Sequence, residues 1–313
     1  MAWLKGQELD GYVEISKKVR FMNDVQSLAQ NLVGDTFYVR DNGSNSANGK
    51  SPGKAFLTVY YALSKCGAYD KIVILPQSST TLAAMVEDNT IALAEGTHNG
   101  VKIIGAMTSF NTMGPCTIHS HVAQPLITIQ SHAVELANFC VYLQGASTAI
   151  QVNPTVPSVA AAWRTHIHDM SFLGVGVALT AIDVGIVGSD APATCIERCA
   201  FMEFATQSIN CSMGYMSAIK DCHFQVGTGA NGITYWTNGT SRPHCLILGN
   251  KFFTLDNTNG VGISLSATPT AGYLMIDDNH FVNFNNDAHC ISAGTNADYC
   301  GVNYNGSAAI TTA

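Results

Sequence analysis

The chain has 313 residues, of which 47% are hydrophobic and only 12% are charged, about half the charged share that is usual in soluble proteins. The formal net charge of −7 and the absence of a basic stripe argue against a nucleic-acid partner, whose binding depends on basic side chains at phosphates. No apolar stretch has the length of a signal peptide or a membrane span, so we expect a protein made and kept in a cytoplasm, with no membrane partner.

Residues 1–34 are predicted to form an N-terminal arm and a short helix that lie outside the repeated part of the chain. The helix is expected within residues 21–34, where an apolar stripe ends at a glycine, Gly34. The arm combines apolar groups with a basic cluster, and we expect it to anchor the chain to an acidic protein surface. Docking along its own chain or a sister chain is the alternative. The anchor residues are Trp3, Leu4, Tyr12, Lys17, Lys18 and Arg20.

Residues 35–77 are predicted to hold a helix and the first regular strand. Thr58 is a suitable N-cap, and Gly67 is a natural stop for the helix. Val59, Ala62, Leu63 and Cys66 form one apolar stripe between these two positions. The strand is expected within residues 69–76, "YDKIVILP".

Residues 78–313 are dominated by a recurring hexapeptide that begins with Ile and ends with Phe. Its copies are "IHDMSF" (167–172), "IERCAF" (196–201), "IKDCHF" (219–224), "ILGNKF" (247–252) and "IDDNHF" (276–281). The final Phe recurs at Phe172, Phe201, Phe224, Phe252 and Phe281, in steps of 29, 23, 28 and 29 residues. Weaker copies are "LANFCV" (136–141) and "YCGVNY" (299–304). A period of this length indicates a solenoid.

A second strand recurs between the hexapeptides, with its Ile at 150, 182, 209, 233, 263 and 291. Two short strands per repeat, separated by turns and without helical periodicity, predict an all-β fold, a right-handed parallel β-helix. Equivalent residues of successive coils then stack about 4.8 Å apart. The Phe residues form a core ladder, and the fourth hexapeptide position forms a corner where Asn250 and Asn279 stack their amides. The helix at residues 58–67 is expected to cap the solenoid.

The segment at residues 34–77 resembles the beginning of the pectate-lyase-like right-handed parallel β-helix superfamily. The matching features are a strand at Phe37–Val39, a Gly-Ser-Asx-rich loop at Gly43–Gly49, and the residues Ser51, Pro52, Phe56 and Thr58 before the helix, followed by Ile72–Pro76. With the coils, the resemblance covers roughly residues 34–305. The group includes pectinolytic enzymes, phage tailspikes and non-enzymatic virion proteins, so the resemblance specifies the fold better than the function.

The strongest catalytic candidates are the adjacent acids Asp277 and Asp278 and the pair Glu197 and Arg198. Polygalacturonase-like members of the group use two carboxylates as acid and base. This chain lacks their Asn-Thr-Asp strand, Gly-His-Gly turn and Arg-Ile-Lys segment, and other coils carry different residues in the same two places. For Asp277 and Asp278 we favour the interpretation that they are acids on a solvent-exposed turn. For Glu197 and Arg198 we favour surface ion pairs, with Asp169 and Asp221 one coil to either side.

The histidine pairs His119/His121 and His166/His168 each place two side chains on one side of a strand, as a metal site needs. Outward polar residues without a metal are the favoured interpretation, and no cofactor is predicted. Most of the ten cysteines are expected to be reduced core residues. Trp163, Tyr235 and Trp236 are expected to be exposed, either as contacts between sister chains or as a carbohydrate-binding surface.

The resemblance, the low charge and the predicted anchor together favour a non-enzymatic structural protein of a bacteriophage particle. The expected form is a homotrimeric decoration or spike protein, assembled in the host cytoplasm and bound to capsid or other virion proteins. The alternative is a tailspike depolymerase that acts on host surface polysaccharide.

Overall fold

Three parallel β-sheets surround one apolar core in the computed structural model, which describes residues 34–78, 85–107, 115–120, 123–152, 162–175, 178–185, 191–212, 216–236, 244–254, 260–265, 273–292, 302–306 and 308–310. The chain passes from sheet A to sheet B to sheet C and then returns to sheet A one coil further on. The described strands and helices belong to one compact unit, Thr36–Ala313. The predicted right-handed parallel β-helix is confirmed. The anchor residues Trp3 to Arg20 lie outside the described residues.

The first half of the strands, numbered in chain order, are β1 (Thr36–Val39), β2 (Lys71–Ile74), β3 (Ile91–Leu93), β4 (Lys102–Gly105), β5 (Thr117–Ser120), β6 (Ile127–Ile129), β7 (Glu135–Ala137), β8 (Cys140–Leu143), β9 (Thr148–Val152), β10 (His166–His168), β11 (Ser171–Gly174), β12 (Thr180–Val184) and β13 (Cys195–Glu197). The second half are β14 (Ala200–Met202), β15 (Gln207–Cys211), β16 (Ser217–Lys220), β17 (His223–Val226), β18 (Asn231–Tyr235), β19 (His244–Leu248), β20 (Lys251–Thr254), β21 (Val261–Leu265), β22 (Tyr273–Asp277), β23 (His280–Val282), β24 (Ile291–Ser292), β25 (Tyr304–Asn305) and β26 (Ala308–Ala309).

Sheet A has nine strands in the spatial order β1-β2-β4-β7-β10-β13-β16-β19-β22. Sheet B has nine in the order β26-β25-β23-β20-β17-β14-β11-β8-β5, and sheet C has eight in the order β24-β21-β18-β15-β12-β9-β6-β3. A regular coil therefore holds three strands, and the expectation of two per repeat is wrong. The hexapeptide spans two of them, with its Ile in sheet A and its Phe in sheet B.

A sharp corner at the third hexapeptide residue separates these two strands. The residue there has a positive φ in every described coil from β7 onward, a region that only Gly, Asn and Asp enter readily. The corner residues are Asn138 (φ 61), Asp169 (53), Arg198 (50), Asp221 (55), Gly249 (64) and Asp278 (52). The corner lies one position earlier than predicted.

The Phe residues that end the hexapeptides form an unbroken column inside the solenoid. Their strands pair in register, which places Phe172 beside Phe201, and so on to Phe281. Successive ring centroids are 5.0, 4.8, 4.6 and 4.8 Å apart, and the ring planes differ by 4–9°. The predicted core ladder is confirmed, and its spacing is that of parallel strands.

Small residues in sheet C make room for this column. The residue before each Ile of the second series is small and buried; these are Ala149, Ala181, Ser208, Gly232, Gly262 and Cys290. A Cβ atom added at Gly262 would lie 2.3 Å from Cε1 of Phe281, and one at Gly232 would lie 2.8 Å from the ring of Phe252. The Ile series itself is in register in all six coils, as predicted.

An amide ladder occupies the fourth hexapeptide position in the last coils. Oδ1 of Asn279 accepts hydrogen bonds from the backbone N–H (3.1 Å) and the side-chain amide (2.9 Å) of Asn250. Oδ1 of Asn303 accepts the same two bonds from Asn279. The predicted stacking is confirmed and extends to Asn303. The register proposed for "YCGVNY" is wrong by one residue, because Tyr304 pairs with His280 and not with Phe281.

The leading segment forms a short 3-10 helix, Pro52–Lys54, and a helix α1, Val59–Leu63. As predicted, the Thr58 side chain accepts a hydrogen bond from the backbone N–H of Tyr61, and Val59, Ala62, Leu63 and Cys66 are buried. Helix α1 packs against β1, β2 and β3. Strand β1 precedes β2, so the strand in 69–76 is not the first of sheet A. That α1 shields the end of the solenoid stays a prediction.

A second helix, α2 (Asp287–Cys290), connects β23 to β24, with Asn286 as its N-cap. The nine described cysteines are not joined in disulfides with one another, and all but Cys195 are buried. No helix among the described residues is long and apolar enough to cross a membrane.

Substitution of Phe224 tests the contribution of the Phe column. We expect Phe224→Ala to lower the free energy of unfolding by about 3–5 kcal/mol, because the ring is buried between two stacked rings. Lys251→Ala, at an exposed outward position of the next coil, should cost less than about 0.5 kcal/mol. The measurement is denaturant unfolding of both variants. Equal losses would contradict the assignment of inward and outward positions.

Candidate functional site

A connected set of titratable side chains covers the middle of the outer face of sheet A. They project outward because the alternate residues of the same strands, such as Ile167 and Ile196, point into the core. This sheet A cluster consists of Lys102, Glu135, His166, His168, Asp169, Cys195, Glu197, Arg198 and Lys220. In-register pairing of β4, β7, β10, β13 and β16 brings them together from five coils.

Arg198 lies at the centre of the cluster and holds two carboxylates. Its Nε and Nη2 donate to the two carboxylate oxygens of Asp169 at 2.8 and 2.9 Å, and its Nη1 donates to Oε1 of Glu197 at 2.7 Å. The hydrogen bonds from Arg198 lower the pKa of Asp169 to about 2. Glu197 and Arg198 are therefore together, as predicted, with Asp169 on one side.

Glu197 accepts a second cation from the neighbouring coil, since Nζ of Lys220 lies 2.5 Å from its Oε2. Burial alone would raise the pKa of Glu197, but hydrogen bonds from Lys220, Arg198 and His166 lower it to about 2. Lys220, rather than the predicted Asp221, completes the cluster on this side.

The two histidines of β10 stack face to face, with ring centroids 4.1 Å apart. Nε2 of His166 lies 3.1 Å from Oε1 of Glu197. His168 lies between two acids, with Nδ1 2.6 Å from Oδ2 of Asp169 and Nε2 3.3 Å from Oε1 of Glu135. Burial and the neighbouring His168 lower the pKa of His166. The expectation that this pair faces one side is confirmed.

His119 of the other histidine pair does not join the cluster. His119 is on β5 of sheet B, where its Nε2 lies 3.1 Å from Oε1 of Gln144, and His121 lies outside the described residues. The three aromatic residues predicted to be exposed differ in their burial. Trp163 is 45% exposed and Trp236 is half-buried. Tyr235 is only 1% exposed, so its prediction as a surface residue is wrong; it ends β18 with its side chain in the core.

The carboxylates of the sheet A cluster are suited to ion pairing and not to donating a proton. A general acid needs a carboxyl group that stays protonated near neutral pH, so its pKa must be raised. Ion pairs lower the pKa of all three carboxylates, Glu135, Asp169 and Glu197. The interpretation of Glu197 and Arg198 as an ion-pair ladder therefore agrees with the geometry.

The adjacent acids Asp277 and Asp278 have separate structural roles. Oδ1 of Asp277 accepts hydrogen bonds from the backbone N–H groups of Asp278 (2.9 Å) and Val302 (2.7 Å), so it fastens the next coil. Asp278 occupies the positive-φ corner, with an exposed carboxylate 3.4 Å from Nε2 of His280. The recurrence of Asp at this place follows from the backbone conformation.

Two residues with unusual environments escaped the sequence analysis. Cys195 directly precedes a hexapeptide and is the register partner of His166. An alignment of the hexapeptides extended by one residue toward the N-terminus would have placed these two side chains together. With His166 and Glu197, Cys195 forms the group of potential metal ligands seen among the described residues, whose ligand atoms lie within 4.8 Å of one another. Glu87 belongs to no repeat and leaves no signal in the sequence.

Glu87 is buried (1% exposed) and contacts the first residues of helix α1. Its carboxylate accepts hydrogen bonds from the backbone N–H groups of Val59 and, at 3.3 Å, Tyr60. Burial raises the pKa of Glu87 to about 7, although these two hydrogen bonds oppose the rise. Because this carboxyl group is buried, we assign it a structural role, which is to accept hydrogen bonds from the first backbone N–H groups of helix α1.

No protein-family model matches the chain, and none of the curated proteins matches it. Solved structures match it at low identity. A rhamnogalacturonan lyase has a TM-score of 0.56 at 13% identity, over 81% of this chain and 69% of its own. Rice weevil pectin methyl esterase has a TM-score of 0.55 at 12% identity, over 80% and 81%. A lacto-N-biosidase from Eubacterium ramulus has a TM-score of 0.52 at 10% identity, over 92% and 64%. These similarities show the fold, and the three names denote three different reactions.

The pH dependence of stability tests the buried state of Glu87. The folded chain should keep the Glu87 proton up to about pH 7, whereas the unfolded chain releases it near 4.5. The folded state then binds more protons between these values, so the Glu87 contribution to stability falls as pH rises, by on the order of 3 kcal/mol.

The measurement is the free energy of unfolding against pH for the natural chain and for Glu87→Gln, which cannot ionise. The difference between the two curves isolates Glu87 from the cluster carboxylates, whose lowered pKa values act in the opposite direction. Parallel curves from pH 4.5 to 7 would contradict the raised pKa.

Proposed function

We propose that the chain is a non-enzymatic structural protein of a bacteriophage particle, a trimeric β-helical decoration or spike protein bound to the capsid or tail. The observation that carries the proposal is the fully paired state of the sheet A cluster. Its three carboxylates and three cationic side chains are joined in ion pairs, of which three link neighbouring coils and one joins Arg198 to Glu197 within a coil. Such an arrangement connects successive coils and offers no carboxyl group that stays protonated near neutral pH.

The outer faces of the sheets support a role in assembly. Phe253 (37% exposed) and Val282 (48%) are register partners on the outside of sheet B. Leu246 (40%) adds an apolar side chain on the outside of sheet A. Exposed apolar groups on sheet faces are suited to packing against sister chains and virion proteins. We therefore propose a homotrimer located in the virion.

The alternative function is a tailspike depolymerase, and one groove favours it. The groove lies on the outside of sheet B, encloses about 590 Å³, and is lined by His223, Lys251, Phe252, Phe253, His280 and Val282. His223, Lys251 and His280 are register partners in three successive coils. Imidazoles beside a cation and an aromatic face could bind a surface polysaccharide of the host.

Mass in solution, measured with an assay for cleavage of host capsule or lipopolysaccharide, separates the two functions. We expect a stable trimer and no new reducing ends or unsaturated products. Cleavage that is lost in His223→Ala or Asp277→Asn would overturn the structural assignment and establish the depolymerase. A monomer without cleavage would refute the trimeric part of the proposal.

We further propose that the N-terminal arm fixes the protein to the particle through Trp3, Leu4, Tyr12, Lys17, Lys18 and Arg20. Its basic and aromatic groups suit an acidic protein surface. A chain that begins at Gly34 should fold and trimerise like the full chain but should not join particles that lack the natural protein. The readout is the amount of protein bound per particle. Decoration as complete as that by the full chain would show that the anchor lies elsewhere.

A further inference from the structure

His166, Cys195 and Glu197 converge on the outer face of sheet A from two neighbouring coils. His166 begins β10 and Cys195 begins β13, and the two residues are register partners. Glu197 follows Cys195 by two positions and therefore projects from the same face. Imidazole, thiolate and carboxylate are the three ligand types that zinc sites use in proteins.

The distances among the three ligand atoms approach those around a tetrahedral ion. Nε2 of His166 is 3.1 Å from Oε1 of Glu197, and Sγ of Cys195 is 3.9 Å from the other carboxylate oxygen, Oε2. The imidazole nitrogen, the thiol sulfur and one carboxylate oxygen all lie within 4.8 Å of one another. Ligand atoms on a tetrahedral zinc ion are separated by about 3.5 Å, given bond lengths near 2.0–2.3 Å. Small side-chain rotations would therefore complete the site.

The surrounding contacts hold two of the ligands in place. The ring of His166 is stacked on His168, which is itself fixed by Asp169 and Glu135. Glu197 is buried (7% exposed) and hydrogen-bonded to Arg198. Such supporting contacts orient metal ligands and reduce the loss of side-chain freedom on binding. The outward side remains open to water, which can fill a fourth position.

Lys220 is the group that a cation would have to displace. Its Nζ contacts Oε2 of Glu197, the carboxylate oxygen that also faces Cys195. The Lys220 side chain is 41% exposed, so it can move into solvent. A divalent ion that replaces it, with Cys195 losing its proton, is balanced by one thiolate and one carboxylate. The exchange leaves no uncompensated charge at the site.

We propose that His166, Cys195 and Glu197 form a zinc-binding site that links two neighbouring coils from outside, with a water molecule as the fourth ligand. The mixture of nitrogen, sulfur and oxygen donors favours zinc over calcium and magnesium, which require oxygen ligands. The site is independent of the proposed role in a phage particle. Because zinc binds only the folded arrangement, it should also raise the melting temperature.

The test uses the full-length chain, stripped of metal with a chelator and titrated with Zn²⁺ against a chromogenic chelator. We expect one equivalent to bind. Cys195→Ser and His166→Gln should each weaken binding by at least about tenfold. Lys220→Met should strengthen it, because the competing cation is removed. Lys251→Met, on the outer face of sheet B, is the matched control and should leave the affinity unchanged.

Cobalt provides a direct readout of the thiolate. The Co²⁺ complex of the natural chain should show a sulfur-to-cobalt charge-transfer absorption, and the Cys195→Ser complex should lack it. Failure of the natural chain to bind Zn²⁺ would overturn the proposal. So would undiminished binding in both ligand variants, or an affinity that Lys220→Met reduces. None of these outcomes bears on trimer formation or on particle binding.

Discussion

In-register stacking of parallel coils is the constraint on which the rest of this molecule depends. No coil can bury its own apolar residues, because each lies in a ring only one strand thick; burial comes from the coil above and the coil below. The Phe172–Phe281 column satisfies this requirement with rings 4.6–5.0 Å apart. The column in turn restricts sheet C to small residues at Gly232 and Gly262, where a side chain would collide with a ring.

The same constraint explains why acids recur without forming an active site. The turn from sheet A into sheet B places one residue per coil at positive φ, and Asp169, Asp221 and Asp278 occupy that place in three coils. Asp and Asn tolerate this conformation better than most side chains. The recurrence of acids at this corner is therefore explained by backbone conformation and does not require a shared catalytic role. Of the three carboxylates in ion pairs, Glu135 and Glu197 lie on the strands before the corner and Asp169 lies at the corner itself.

The sequence was sufficient for the features that repeat and insufficient for those that arise between repeats. The Phe and Ile columns were predictable because each coil must present the same residue type at the same place. The split of the hexapeptide into two strands was harder to see, since a corner of one residue leaves no gap in the apolar pattern. Tyr235 was wrongly predicted to be exposed because an aromatic residue beside Trp236 resembles a surface contact. Its register partners in earlier coils are Val152, Val184 and Cys211, which shows that the position belongs to the core. The sheet A cluster needs residues from five coils, and only the register brings them together.

The amide ladder of Asn250, Asn279 and Asn303 affects the order in which the coils pair. Earlier coils carry Met170, Cys199 and Cys222 at the same place, so the column changes from apolar to polar at a single step. A coil that paired with the wrong neighbour could still place Phe on Phe, since that column is uniform. If that pairing put an Asn beside Met170, Cys199 or Cys222, the amide would lose its partner, and a buried Asn left without a hydrogen-bond partner is costly. The ladder thus specifies which coils pair in an otherwise uniform repeat, and it disfavours misaligned pairing during folding.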